Sequence, residues 1–404
     1  MIGRSGSSAK GSRRRNPTAP RGFTLVELLV VIIVLALLAA LLLPAINAAR
    51  RTAQEAASIA EINSLSQALN DFKSQYGDFP PSRIILNERG DYSTNTGLET
   101  RTLAFFRKVF PRAVFSTSGP VFAANAPNGS FYDFNGTGGT PDGSSYILSG
   151  HQCLVFFLGG IPQHTNSGGV AGYGMTGFAK SPQNPFKNSD ASSNRSQPLF
   201  EFNNSRLVAD PANDHGIPGY VDSLPAGDIT LPPPFYAYFS AYAGSGYDPD
   251  DYNIVTAGSF VAETDANNTN LIGAFMTNNF ATNTAITGTN NVIASAPPNP
   301  YVNDVPVPTL GTGHLDTSIG KTRVWQNPNS FQIISPGFDR LYGIGGQYIS
   351  GKSNGSRVPW MSGVGPNTFQ TVEANSDVTG VTLDMQVRQR EADNLTNFST
   401  GKLD

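Results

Sequence analysis

One cysteine, Cys153, is all that the 404 residues contain. A single thiol excludes an intramolecular disulfide, so the fold cannot be a disulfide-stapled scaffold, and its stability must come from packing or a metal. Cys153 opens the apolar run Leu154-Val155-Phe156-Phe157-Leu158. Nothing there would stabilise a thiolate, so it reads as a buried structural thiol. Charge is also scarce, at 14% of residues, while Gly (42) and Pro (29) are plentiful. That composition argues against a helical bundle and for a loop-rich body containing β-structure. The four histidines, His151, His164, His215 and His314, are scattered without metal-ligand spacing. Aspartates are numerous, but no spacing brings a specific pair together as acid and base. No enzymatic activity is expected.

Acidic residues are missing altogether from residues 1–22, which hold Arg4, Lys10, Arg13, Arg14, Arg15 and Arg21. Those six positive charges, set against an overall charge of −3, leave −9 on the remainder. A basic tip on an acidic body reads as a cytoplasmic leader and not as a nucleic-acid interface, because the folded part does not carry the positive charge. No nucleic-acid partner is expected.

From Leu28 to Leu43 every residue is apolar. The 24 residues from Phe23 to Ile46 would make roughly 36 Å of helix, enough to cross a bilayer core of about 30 Å. Six basic residues precede the run and Arg50 and Arg51 follow it, which orients the N-terminus toward the cytoplasm. An ordinary secretory signal has a shorter apolar core and a small-x-small cleavage site after it. A plain anchor gives no reason for Glu27, a carboxylate costing about 2.5–3.5 kcal/mol on insertion scales.

The string Arg21-Gly22-Phe23-Thr24-Leu25-Val26-Glu27-Leu28-Leu29-Val30-Val31-Ile32 closely resembles the prepilin signature of type IV pilins and type II secretion pseudopilins. That resemblance implies cleavage after Gly22 by a membrane prepilin peptidase, which then methylates Phe23. Glycine suits such a site because it lets a protease approach the backbone closely. Glu27, as the fifth mature residue, would pair with the N-terminal amine of a neighbouring subunit and neutralise a charge otherwise stranded in lipid. Pro44 falls at the twenty-second mature position, where pilin helices commonly carry a proline that kinks or locally melts them.

Beyond the apolar run, Ile62, Leu65, Leu69, Phe72 and Tyr76 step by 3 or 4 residues, an amphipathic stripe that reads as packing on the domain's own sheet. Gly77 is a C-terminal stop and Pro80-Pro81 prevent continuation. Tyr76-Gly77-Asp78-Phe79-Pro80 resembles the segment that follows this helix in pilins. The implied fold is α+β, a long N-terminal helix whose rear half packs on an antiparallel sheet, with long loop insertions. The expected organisation is a leader at 1–22, a membrane or filament-core helix half at 23–46, an amphipathic half at 47–80 and an extracytoplasmic body at 81–404.

Within the body, residues 98–110 form a helix candidate ended by Pro111, and 152–158 read as a buried strand or helix. Phe235–Tyr242 and Phe331–Ser335 read as strands. Tyr236, Tyr238, Tyr242, Trp325 and Trp360 are aromatics for core packing or for glycan or protein binding. Residues 264–320, rich in Asn, Thr, Gly and Ala, read as a loop-rich insertion. The phrases LVFFLGG (154–160), GFAKSPQNPF (177–186), SPGFDRLYG (335–343) and ADNLTNF (392–398) resemble those of the large prepilin-type proteins of planctomycete bacteria.

Major pseudopilins hold Ca²⁺ in a loop near the C-terminus, and Asp339 and Asp393 are the positions that resemble its ends. The interval between them is longer than in that family, and Asn394 stands where a second acid often lies. Asp210–Gly216 with Asp222 is a poor match to an EF-hand loop, with Pro211 and His215 at ligand positions, and reads as a polar turn.

The implied function is a structural subunit, a minor pseudopilin of a type II secretion or type IV pilus-like assembly in the inner membrane, with other pilin subunits as partners. The alternative is a non-polymerising surface binding protein that uses the leader only for sorting. In either case the mature chain should begin with methylated Phe23. Intact mass and N-terminal sequencing of protein from membranes containing a prepilin peptidase would test this, and a chain retaining residues 1–22 would contradict it.

Overall fold

The computed structural model describes residues 24–94, 97–143, 145–167, 170–188, 194–210, 215–224, 235–241, 247, 301–302, 326–338, 342, 346–347, 358–359 and 393–403. The leader, Phe23, Asp339, Tyr242, Trp325, Trp360 and the 264–320 segment apart from Tyr301–Val302 lie outside them. The chain divides into two units, Met1–Ala53 and Gln54–Asp404, and the division falls within the first helix, α1 (Leu25–Tyr76).

In the first unit α1 is apolar on every side, and all of its large hydrophobic side chains are exposed. Among the described residues it is the one helix long and apolar enough to cross a membrane by length and composition. A soluble helix buries one stripe, whereas this one has no polar face to turn toward water. Pro44 lies inside it, where the missing N–H forfeits the bond to the Ala40 carbonyl.

In the second unit α1 becomes one-sided. Ser58, Ile62, Leu65, Ala68, Leu69 and Phe72 are buried, spaced by 3 or 4 residues as a single helical face requires. The helix stops at Tyr76 because Gly77 takes a φ of +81°, a left-handed conformation that glycine adopts without a Cβ penalty. Lys108 caps this end, donating to the Gly77 carbonyl (3.1 Å) and pairing with Asp78 (3.0 Å).

The body follows as β1 (Ile84–Asn87), α2 (Gly97–Val109), β2 (Ser145–Leu148), α3 (Gly150–Gly159), β3 (Pro162–Ser167) and β4 (Val170–Met175). It continues with β5 (Leu207–Val208), β6 (Gly219–Tyr220), β7 (Ala237–Ser240), β8 (Tyr301–Val302), β9 (Phe331–Ser335), β10 (Gly346–Gln347), β11 (Val358–Pro359) and β12 (Leu395–Thr396). The strands form small sheets: the antiparallel pairs β1–β2, β3–β4 and β5–β6, an antiparallel triplet β7–β9–β12, and β8–β10–β11, in which β8 and β10 run parallel. The α+β class expected from the sequence holds. The aromatic end of the α1 stripe meets helices: Phe72 lies 5.7 Å from Phe157 of α3 and 6.4 Å from Phe105 of α2, ring centre to ring centre.

The segment left open between strand and helix is α3. Every one of its residues is buried, so its side chains show no polar face and periodicity could not distinguish the two. Cys153 is fully buried there, as the apolar setting implies. Around α3 the phenylalanines lock together, with Phe186 4.4 Å from Phe134 and 4.8 Å from Phe110. The strand reading of 331–335 matches β9, and that of 235–242 narrows to β7. Of the two readings open for Tyr236 and Tyr238, core packing holds: they are 0% and 1% exposed, with Tyr238 donating its hydroxyl to the Pro80 carbonyl (2.6 Å).

Phe72 is fully buried against three aromatic rings. Phe72→Ala should destabilise the body by about 3–5 kcal/mol, measured by denaturant unfolding of detergent-solubilised protein followed through near-UV circular dichroism.

Candidate functional site

The start of α1 is built by Thr24 and Glu27. The Thr24 amide donates to Glu27 Oε2 (2.9 Å), and the Glu27 amide donates to Thr24 Oγ1 (3.2 Å). The Thr24 hydroxyl also reaches Oε2 (2.8 Å). This is a capping box, in which two end groups of the helix satisfy each other's orphan donors. The Thr-x-x-Glu spacing was visible in the chain, but the resemblance assigned Glu27 to a neighbouring subunit and left the local role unread. Gly22 and Phe23 lie outside the described residues, so their relation to this cap is not described.

Further along α1, a polar site had no counterpart in the sequence reading. Glu61 receives both arms of the Arg206 guanidinium, at 2.7 Å each. The Tyr220 hydroxyl donates to its Oε1 (2.8 Å), and the Tyr236 hydroxyl lies 2.6 Å from its Oε2. Arg206 is held in turn by the Val221 carbonyl (2.6 and 2.9 Å) and lies 4.3 Å over the Tyr220 ring. The Glu61 and Arg206 side chains are only 15% and 20% exposed. Burial pushes the Glu61 carboxyl up, but hydrogen bonds from Arg206 and Tyr236, the Arg206 charge and the Tyr220 hydroxyl outweigh it and hold the carboxyl below its ordinary value.

One helical turn earlier, Ser58 donates to Asp222 Oδ1 (2.9 Å). Asp222 also accepts from the Leu224 amide (3.2 Å) and, through Oδ2, from the Ser335 hydroxyl of β9. Tyr236 lies 3.0 Å from Asp222 Oδ1, joining the two carboxyls through one hydroxyl. Burial dominates here, and the Asp222 carboxyl is raised despite these donors. Another turn back, Lys402 pairs with Glu55 (2.7 Å). Stepping backward by 3 or 4 from Ile62 along the stripe reaches Ser58 and Glu55. That extension of the apolar pattern into polar residues was the available signal.

The metal readings fare differently. Asp393 accepts the Phe338 amide (2.7 Å), a bond spanning 55 residues; Asp339 lies outside the described residues. Of the EF-hand-like string, Asp210 is buried 3.2 Å from His151 Nε2 and Asp222 belongs to the network above, while 211–214 lie outside the described residues. Both aspartates are core groups and not members of a surface turn. Among the described residues no three His, Cys, Asp or Glu side chains are grouped to hold a metal.

Ser149, His151 and Asp210 have the composition of a nucleophile triad, with Ser149 Oγ 3.0 Å from His151 Nδ1. All three are at most 2% exposed, and Ser149 is the N-cap of α3. With no access to the hydroxyl, the set is structural. Sequence reading also passed over Gly346–Ser353, which spells a phosphate loop (Gly, four residues, Gly-Lys-Ser), and Gly351–Gly355, which spells a nucleophile elbow. A phosphate loop joins a strand to a long helix. Here Gly346 lies in β10, which pairs antiparallel with β11, and residues 348–357, which hold the rest of the phosphate-loop string and all of the elbow string, lie outside the described residues.

A capped, all-round apolar helix ahead of a separately folded body defines a membrane-anchored protein. Residues 18–43 match the prokaryotic N-terminal methylation motif, the prepilin-type signal of type IV pilins and pseudopilins. No curated protein and no solved structure matches the chain.

The polar network carries a stability prediction. Arg206→Ala leaves the Glu61 carboxylate without its cation and should cost about 2–4 kcal/mol. Because the folded Glu61 carboxyl titrates below its ordinary value of 4.5, its contribution is complete above that pH and is lost as pH falls through the folded value. Asp222, raised from 3.8, works in the opposite sense and favours the folded state more as pH falls. Unfolding free energies measured between pH 3 and pH 7 should therefore show a shallower acid-side loss in Arg206→Ala than in the wild type.

Proposed function

We propose that the protein is a structural subunit of a pilin-like assembly, of the type II secretion or type IV pilus kind. In this reading a prepilin peptidase trims it after Gly22 at the cytoplasmic face of the inner membrane and methylates Phe23. The body then sits in the periplasm or at the cell surface, and α1 packs with the helices of other pilin subunits. The observation that carries the proposal is Glu27, standing inside the matched motif at residues 18–43 in an otherwise apolar stretch. A carboxylate there is costly in lipid and is offset by the amine of a neighbour's N-terminus. The role is structural and not catalytic. A body of this size, heavier than shaft-forming subunits need, fits a minor or tip position.

A second reading has a specific observation in its favour. The Thr24–Glu27 capping box satisfies Glu27 within its own helix, so the residue does not need a neighbour to justify it. That fits an anchored, non-polymerising surface protein.

Two substitutions separate these readings. Glu27→Gln keeps the capping geometry, since Gln serves at this position, but removes the charge; Glu27→Ala removes both. A filament subunit should lose assembly with either variant while cleavage proceeds normally, as followed by co-purification or crosslinking with other subunits. If Glu27→Gln leaves assembly intact, the charge pairing is wrong. If no assembly exists and Glu27→Gln leaves membrane levels unchanged, the protein is an anchor for its body.

A further inference from the structure

The loop after Tyr132 has features that neither the membrane anchor nor the polar network uses. It reads Asp133-Phe134-Asn135-Gly136-Thr137-Gly138-Gly139-Thr140-Pro141-Asp142. Oxygen-bearing side chains stand at its first, third and fifth positions and glycine at the sixth, the spacing of the first half of an EF-hand calcium loop. The conformation fits the spacing. Gly138 has a φ of +70° and its amide donates to Asp133 Oδ2 (2.9 Å), folding the loop around that carboxylate.

Asp133 is 0% exposed. Its second oxygen, Oδ1, is buried and makes no well-formed hydrogen bond, although the Asn188 amide and the Gly136 and Thr137 backbone N–H groups lie close to the carboxylate, Asn188 donating to the Gly136 carbonyl (2.8 Å). A turn-capping aspartate at a surface would leave such an oxygen to water, whereas here it is enclosed. A second buried carboxylate stands beside it. Glu88 follows β1, its backbone carbonyl accepts the Tyr132 amide (3.1 Å), and its Oε2 accepts the Asp142 amide (2.7 Å). Two enclosed carboxylates on one loop and the strand end it packs against are groups that a bound cation would neutralise.

We propose that the Asp133–Asp142 loop is a divalent-cation site of the calcium class, with Asp133, Asn135 and Thr137 as side-chain donors and Glu88 supplying the second carboxylate. All donors are hard oxygens, which select Ca²⁺ over thiolate- or imidazole-seeking metals. Only two of them are carboxylates, which is consistent with the lack of any three-member acidic or histidine cluster among the described residues. Asn135 Oδ1 now accepts the Thr137 hydroxyl (2.8 Å) and amide (3.1 Å), so cation binding would turn that hydroxyl to present a lone pair. Thr137 is exposed, which gives an ion a way in. Neither Asp339 nor Asp393 is among these donors.

The test uses the full chain in detergent, with Tb³⁺ as a luminescent probe and Ca²⁺ as competitor. Tyr146, whose hydroxyl lies 3.4 Å from Glu88 Oε1, should sensitise the bound lanthanide. The wild type should give tyrosine-sensitised emission displaced by Ca²⁺, and a melting temperature at least about 3 °C higher in excess CaCl₂ than in EDTA. Asp133→Asn and Asn135→Ala should each weaken Ca²⁺ binding by about tenfold or more, while Asp393→Ala should leave it unchanged. Glu88→Gln should weaken the calcium response. If Asp133→Asn does not fold, the half-exposed Asn135→Ala decides. No calcium effect in the wild type overturns the proposal. A response retained by the loop variants and lost in Asp393→Ala also overturns it and moves the site to the C-terminal loop.

Discussion

A carboxylate enters a protein interior only with donors arranged around it, and Glu61 meets that constraint by drawing separate segments of the body onto α1. Arg206 comes from the turn before β5, Tyr220 from β6 and Tyr236 from the residue before β7. Through Tyr236 and Ser58 the same set extends to Asp222 and so to Ser335 on β9. Hydrophobic burial beneath Leu65, Leu69 and Phe72 supplies the bulk of the favourable free energy, but it is non-directional. The network is directional. A bidentate guanidinium and two phenols fit one carboxylate in one rotation of the helix, so Glu61 and Ser58 fix which face of α1 meets the body.

The division of labour along α1 explains what the sequence made legible. Leu28–Leu43 could be read directly because an unbroken apolar run has few alternative meanings. The stripe from Ile62 to Phe72 was readable because a period of 3.6 repeats over several turns, and Gly77 because a positive φ calls for glycine. The short helices and strands were partly legible. α2 was ended by Pro111 and β9 was a short apolar run, whereas α3 was ambiguous because burial on all sides removes the contrast that periodicity needs. The small sheets built of two-residue strands left no pattern long enough to detect.

The polar network was illegible for a different reason. Its members are 145 to 175 residues apart where they meet Glu61, and single polar residues in a loop-rich body give no sign of which will be buried. Tyr236 shows the difficulty, since an aromatic between prolines and glycines reads equally as surface or core, and its hydroxyl makes sense only once both Glu61 and Asp222 are beside it. The Asp133 loop was legible in principle because its spacing is local, but the enclosure that gives the spacing meaning comes from Glu88, at the end of another strand. A local motif gains weight only from the long-range context that buries it.

Glu27 and Glu61 show how one helix treats two carboxylates in opposite ways. Both lie on α1 and both are hydrogen-bonded. The partners of Glu61 are distant in sequence, enclosed and numerous, so releasing it would dismantle the contact between helix and body. Glu27 has a single partner three residues away, and both residues are exposed. Exchanging Thr24 for a positively charged group would cost one local cap, against the larger cost of leaving a carboxylate in lipid. The local cap therefore need not compete with an intersubunit pairing. In the proposed subunit it would be the resting state of a residue whose bonds are cheap to trade, on the part of the helix whose side chains are all exposed.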